Sequence, residues 1–190
     1  MGNKTCHPCA QTRRYLHTFD DILATMMKQM TQAPLGESIS QNFIAQMIPH
    51  HRAAIAMSCN LLEYPTNPAL RMTAGRIIVE QTRSIANMQR IESCCARLIN
   101  PPEDVCAYQR QTDAILQTMF MDMSQACADD RISCEFMREM IPHHEGAIEM
   151  AQTALQYEIC SPLKPILCAI VASQEQGVRQ MRRLLRRREC

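Results

Sequence analysis

The stretch Phe43-Ile44-Ala45-Gln46-Met47-Ile48-Pro49-His50-His51-Arg52-Ala53-Ala54-Ile55-Ala56-Met57 returns further along the chain as Phe136-Met137-Arg138-Glu139-Met140-Ile141-Pro142-His143-His144-Glu145-Gly146-Ala147-Ile148-Glu149-Met150. A stripe at three- and four-residue steps runs through Phe43, Met47, His50, Ala54, Met57 and Leu61, and again through Phe136, Met140, His143, Ala147 and Met150. That is the period of one helix face, not the alternation of a strand. On such a helix Met47 lies one turn before both His50 and His51, and Met57 lies two turns beyond His50. Adjacent positions diverge by ~100°, so one His of each pair can face a bundle centre while the other looks toward a neighbouring helix. Pro49 and Pro142 each remove a backbone donor, which costs ~3 kcal/mol in an ordinary helix interior. The same penalty at two matching places predicts a kink that aims the His pair.

Working outward, Tyr15 to Arg97 aligns with Tyr108 to Cys190 without a gap, and about 27 of the 83 positions are identical. Neither unit alone is large enough to bury a sizeable core. The expectation is one domain, 1–190, built from half-repeats 15–97 and 108–190 about a pseudo-two-fold axis, with 1–11 a loose N-terminal segment. Each half reads as three helices. In the first, Tyr15, Phe19, Ile22, Met26 and Met30 form a stripe that Pro34-Leu35-Gly36 interrupts. Ser38 or Ser40 can cap the second helix, which Pro65 to Pro68 ends. The third carries Leu70, Ala74, Ile77, Gln81, Ile85 and Met88 and stops before Pro101-Pro102. The second half repeats the pattern through Ile115, Met119 and Met123, then the His helix, then Leu163, Ile170, Gln174, Val178 and Met181. The predicted class is all-α: two long hairpins forming a four-helix bundle, with two shorter flanking helices.

Composition agrees and excludes alternatives. The chain has 190 residues with 15 Met and 11 Cys, but 4 Phe, 4 Tyr, no Trp and only 5 Gly. So few glycines disfavour hairpin-rich β folds and Gly-rich phosphate loops. A net charge of +1 argues against nucleic acid as an electrostatic partner of the whole chain. The Arg cluster at 179, 182, 183, 186, 187 and 188 reads as a solvated helix end that complements the macrodipole. No apolar run approaches the ~18–20 residues of a membrane span. The polar start, Met1 to Cys9, has no apolar core of a signal peptide. Taken as native it implies a cytoplasmic protein with reduced thiols; if an export signal has been removed, a periplasmic or secreted one.

A Met stripe at helical spacing is ordinarily core packing. Two features set this one apart. Of seven Met in each half, five coincide: Met26/Met119, Met30/Met123, Met47/Met140, Met57/Met150 and Met88/Met181. An apolar stripe that carries two adjacent His in each half is also costly unless something satisfies their nitrogens. Thioether plus neutral imidazole is a soft donor set suited to Cu(I), whereas Zn²⁺ prefers thiolate, imidazole and carboxylate. A di-iron bundle needs paired Glu with Glu-x-x-His spacing. Here Glu139 lies four before His143 and faces Gln46 in the other half, Glu145 faces Arg52, and Asp20/Asp113 is the only acidic pair identical at matching positions. The expected function is soft-metal binding, with copper as Cu(I), in storage, buffering or tolerance. The alternative is a helical interaction or structural module with Met and His packed in the core; a homodimer fits either. A redox or metal enzyme is a third reading, but no nucleophile elbow, P-loop or carboxylate pair supports it.

The two Met-Ile-Pro-His-His-x-x-Ala-Ile-x-Met blocks, each followed by a helix with Gln and Met seven apart (Gln81/Met88 and Gln174/Met181), resemble the domain-of-unknown-function 305 family. The resemblance covers about Ile39 to Arg188. It implies a ferritin-like helical bundle in which both half-repeats make one domain, often in exported proteins, some of them copper-binding and tied to copper tolerance. Carried over to this chain, it makes Met47, His50, His51, Met57, Met140, His143, His144 and Met150 candidate metal ligands, with Met26, Met30, Met119 and Met123 on the flanking helices. The chain departs from the family where Ser84 and Gly177 replace a Glu before the Ile-x-x-Met of the third helix, and in its many Cys. That missing Glu could have oriented a His.

No Cys coincides with a Cys in the other half: Cys59 faces Gln152, Cys160 faces Asn67 and Cys168 faces Gly75. The expectation for Cys59, Cys134 and Cys168 is a buried free thiol acting as a small hydrophobe. Cys6-His7-Pro8-Cys9 has metal or redox spacing but no second knuckle, and vicinal Cys94-Cys95 is an equally weak signal. Gln81 and Gln174 should be buried, bonding the His pairs or each other.

Overall fold

The computed structural model describes residues 9–125 and 131–187 of the chain. Among them are six helices and no strand: α1 Ala10–Thr31, α2 Ile39–Leu62, α3 Pro68–Cys95, α4 Pro102–Ser124, α5 Ile132–Ala154 and α6 Leu163–Arg186. Helix α2 packs against α1, α3 and α5, while α5 packs against α2, α4 and α6. Contact between α3 and α6 closes the ring of α2, α3, α5 and α6. The His helices are thus the two central ones, which is why both are buried around most of their circumference. None of the described helices is long and apolar enough to cross a membrane.

Local chemistry sets the boundaries. Ser38, not Ser40, caps α2, its hydroxyl accepting from the Gln41 N–H at 3.3 Å. Asn67 caps α3 by accepting from the Ala69 N–H at 2.8 Å, and Pro68 occupies the first turn, where no donor is lost. Helices α2 and α5 run as α-helix through Pro49 and Pro142. The flanking helices are shorter by very little: α1 has 22 residues and α4 has 23, against 24 in α2, 28 in α3, 23 in α5 and 24 in α6. Their helical hydrogen bonding continues into polar sequence beyond the apolar stripe. Helix α1 already includes Ala10 and Gln11, which the sequence marked as loose. Cys6 and His7 of the N-terminal knuckle, and Arg188 of the basic tail, lie outside the described residues.

Each flanking helix is anchored by a tyrosine. Tyr15 and Tyr108 are fully buried and meet Tyr64 and Tyr157 edge-to-face, at centroid distances of 5.9 and 5.8 Å. Such pairs add ~0.5–1.5 kcal/mol beyond area burial.

At one pole the halves are joined by polar and covalent links. Asn100 Oδ1 accepts from the Ile39 N–H at 2.9 Å, while its amide donates to the Glu158 carbonyl at 2.7 Å. Ser38 Oγ donates to the Cys95 carbonyl at 3.0 Å, and the Cys160 N–H donates to Ser40 Oγ at 2.9 Å. Cys95 and Cys160 form a disulfide. The cysteine expectations need correction here. Cys59 and Cys168 are exposed free thiols rather than buried ones, because each lies off the apolar stripe, Cys59 two residues past Met57 and Cys168 one past Leu167. Cys134 is buried, but it is disulfide-bonded.

Candidate metal centre

The four paired histidines form a row across the bundle. His50 and His143, from the two central helices, stack with ring centroids 3.7 Å apart and planes tilted by 32°. His51 and His144 flank them, each 5.9 Å from its neighbour in sequence. The ~100° offset of adjacent helical residues puts the first His of each pair at the α2–α5 contact and turns His51 toward α3.

The inner pair is tied reciprocally. His50 Nε2 donates to the backbone carbonyl of His143 at 3.1 Å, and His143 Nε2 donates to the carbonyl of His50 at 3.2 Å. His51 Nε2 hydrogen-bonds Ser84 Oγ of α3 at 3.0 Å. In the second half Gly177 occupies the place of Ser84, and the His144 ring sits so close that a Cβ there would be 2.7 Å from Cδ2 and 2.9 Å from Nε2. The substituent that the sequence singled out as missing is thus replaced by a hydroxyl at one end of the row and by bare backbone at the other.

All four imidazoles are buried, at most 2% exposed, and burial is the main reason each is held neutral. It pushes His51 down to about 3 and His143 to about 4, and holds His50 and His144 well below the usual imidazole range. For all but His143, neighbouring imidazoles push the same way. Neutral imidazole is the form that ligates a metal. The Nδ1 atoms of His50, His51, His143 and His144 are all buried without a hydrogen-bond partner. An unsatisfied buried polar atom costs ~1–3 kcal/mol, and here the same atom recurs four times.

Met26, Met30, Met47, Met57, Met119, Met123, Met140 and Met150 are all buried in the hydrophobic core. Met119 packs so tightly on Gly146, one turn past His143, that a Cβ there would collide with its Sδ. Among the described residues, no group of three or more His, Cys, Asp or Glu is arranged to hold a metal.

Gln81 and Gln174 are buried as expected, but both amide oxygens lack a partner, so neither accepts a hydrogen bond from the other amide or from a His. Both line a cavity of about 440 Å³ between α3 and α6, together with His51 and Ser84. Sequence reading missed one further buried feature. Tyr15 donates to Glu139 Oε2 at 2.6 Å, and burial, more than any neighbour, pushes Glu139 up to about 8. The Gln46/Glu139 mismatch between the repeats was the available signal.

An all-helical protein with a buried row of neutral histidines among methionines is the class that fold and site define. The chain matches the family described as Domain of unknown function (DUF305) over residues 12–92 and 102–185, and it belongs to that family. Among solved structures it is similar to CopM in the Ag-bound form, obtained by soaking, at 26% identity and a TM-score of 0.59, covering 78% of this chain and 95% of that one. CopM in the Cu(II)-bound form matches equally, at 26% identity and 0.59, with 78% and 96% covered. A DUF305 fragment from Deinococcus radiodurans shares the fold at 21% identity and a TM-score of 0.58, with 81% and 99% covered. No curated protein matches the chain.

Proposed function

We propose that this protein binds a soft monovalent metal ion, Cu(I) or its analogue Ag(I), through the His50–His51 and His143–His144 pairs and the surrounding methionine thioethers. Its role would be storage, buffering or tolerance rather than catalysis. The observation that carries this reading is the set of four buried, neutral imidazoles whose Nδ1 atoms have no protein partner. The metal-bound forms of CopM support it, because that protein shares the fold and 26% of aligned residues. The Cys95–Cys160 bridge supports an oxidising, periplasmic or secreted setting.

Titration of the reduced-metal complex against a competing Cu(I) chelator tests the function, with the His50→Ala/His143→Ala double variant as reference. Wild-type protein should withdraw Cu(I) from the chelator and the variant should do so much less. Equal competition by the two would sink the proposal.

The second reading is a helical packing module. It is favoured by the protein partners already found for the Nε2 atoms of His50, His143 and His51. On that reading Ag(I) leaves the melting temperature unchanged, whereas binding to the native state alone must raise it.

A further inference from the structure

We propose that the inner histidines do not share one ion but bind separately, each through Nδ1, with the Nε2 nitrogen serving as a fixed anchor. This rests on the metal-binding reading and specifies how that site works.

A carbonyl oxygen only accepts hydrogen bonds, so the ring nitrogens facing the carbonyls of His143 and His50 must carry the hydrogen. A neutral imidazole has one N–H. The Nε2–H tautomer is thereby imposed on both rings, and the lone pair of each falls on Nδ1, the atom left buried and unpartnered. Metal-ligating histidines commonly donate their other ring N–H to a carbonyl or carboxylate, which fixes tautomer and orientation. Here the anchor of each ring is the backbone of the opposite central helix.

Stacking then decides between one shared ion and two. A ligand lone pair lies in the ring plane, so a linear His–metal–His bridge needs the rings on opposite sides of the ion. Two metal–nitrogen bonds of ~2.0 Å place such ring centres about 6 Å apart. The His50 and His143 centroids are only 3.7 Å apart, with planes tilted by 32°. An ion between the stacked rings would meet π faces rather than lone pairs. Each Nδ1 is left to pair with other donors, and Met47 and Met140 are thioethers three residues before His50 and His143 on the same helices. Because the anchors are backbone carbonyls, replacing one imidazole leaves the anchor of the other intact.

Long-range proton–nitrogen NMR on protein labelled with ¹⁵N-histidine reads this directly. The metal-free protein should show His50 and His143 as Nε2–H tautomers. Ag(I) should shift both Nδ1 resonances while leaving Nε2 protonated. In His50→Ala, Ag(I) should still shift His143 Nδ1. An Nδ1–H tautomer, a metal-induced shift at Nε2, or loss of the His143 response in a folded His50→Ala would overturn the inference while leaving metal binding itself standing. No shift at any histidine nitrogen would overturn both. If His50→Ala does not fold, the wild-type tautomers and the identity of the shifted nitrogen still decide the matter.

Discussion

Tyr15 of α1 donates a 2.6 Å hydrogen bond to Glu139 of α5, joining two residues 124 positions apart inside the core. At the matching places of the other half, Tyr108 faces no carboxyl, and the Gln46 amide oxygen is buried without a partner. The carboxyl is therefore a specific feature of one side of the molecule.

Glu139 makes stability fall as the solution becomes alkaline. Its folded value of about 8 lies above the ordinary 4.5, so the folded state holds an extra proton between them. That contribution is complete below pH 4.5 and is lost as pH rises through 8. Glu139→Gln should behave like wild type in mild acid. At pH 9 it should be more stable by roughly 1–3 kcal/mol, once burial and relaxation are allowed for. Urea denaturation across this range checks the prediction, and parallel curves for the two proteins would refute it.

The histidine row acts on the acid side with the opposite sign. Folded values near 3 for His51 and 4 for His143 lie below the ordinary 6.5, so the unfolded chain takes up protons first. Stability is complete above 6.5 and erodes as pH falls toward those values. For the same reason protons do not compete for the site near neutrality. Ag(I) affinity should be unchanged between about pH 7.5 and 5.5, whereas a surface His site would lose roughly tenfold over that interval. Isothermal titration at the two pH values separates these outcomes.

Two mid-helix glycines should respond oppositely to alanine. A Cβ on Gly177 runs into the His144 ring, while one on Gly75 meets nothing within 4 Å. Gly177→Ala should cost ~1–3 kcal/mol by overpacking, and Gly75→Ala should add ~0.5–1 kcal/mol through helix propensity. Melting temperatures of the two variants give the comparison, and a shift of the same sign in both would contradict the packing described around His144.

Reduction should loosen the pole where the halves are tied. The Cys95–Cys160 bridge has a sequence separation of 65, for which loop-closure entropy predicts about 4 kcal/mol. Cys160→Ala should lose ~2–4 kcal/mol in chemical denaturation. If its midpoint matches that of the oxidised wild type, the bridge contributes nothing to the fold.

Most of the fold was legible because helix faces and proline breaks are local signals. Phe43, Met47, His50 and Ala54 announce a buried stripe, and Pro65 to Pro68 announce its end. The facing of His50 and His51 followed from helix geometry alone. The start of α1 was not legible, since polar residues such as Gln11 and Arg14 carry no burial signal yet belong to the helix. Tertiary pairings were out of reach for a similar reason. Ser84 meets His51 across helices, Cys160 finds Cys95 across the halves, and Tyr15 finds Glu139 over 124 positions. Nothing in local periodicity encodes those distances. The exposure of Cys59 and Cys168 could have been read by placing them on the helical wheel beside Met57 and Leu167.

The difference between Gln46 and Glu139 has a consequence for why both halves reside in one chain. Two identical subunits related by symmetry would have to bury either two carboxyls or none, and two would repeat the desolvation cost. A single polypeptide escapes that constraint. It can place one ionisable group beside Tyr15, a hydroxyl at one end of the imidazole row and bare backbone at the other. Covalent linkage thus gives this protein a handedness between its two ends that no homodimer of either half could possess.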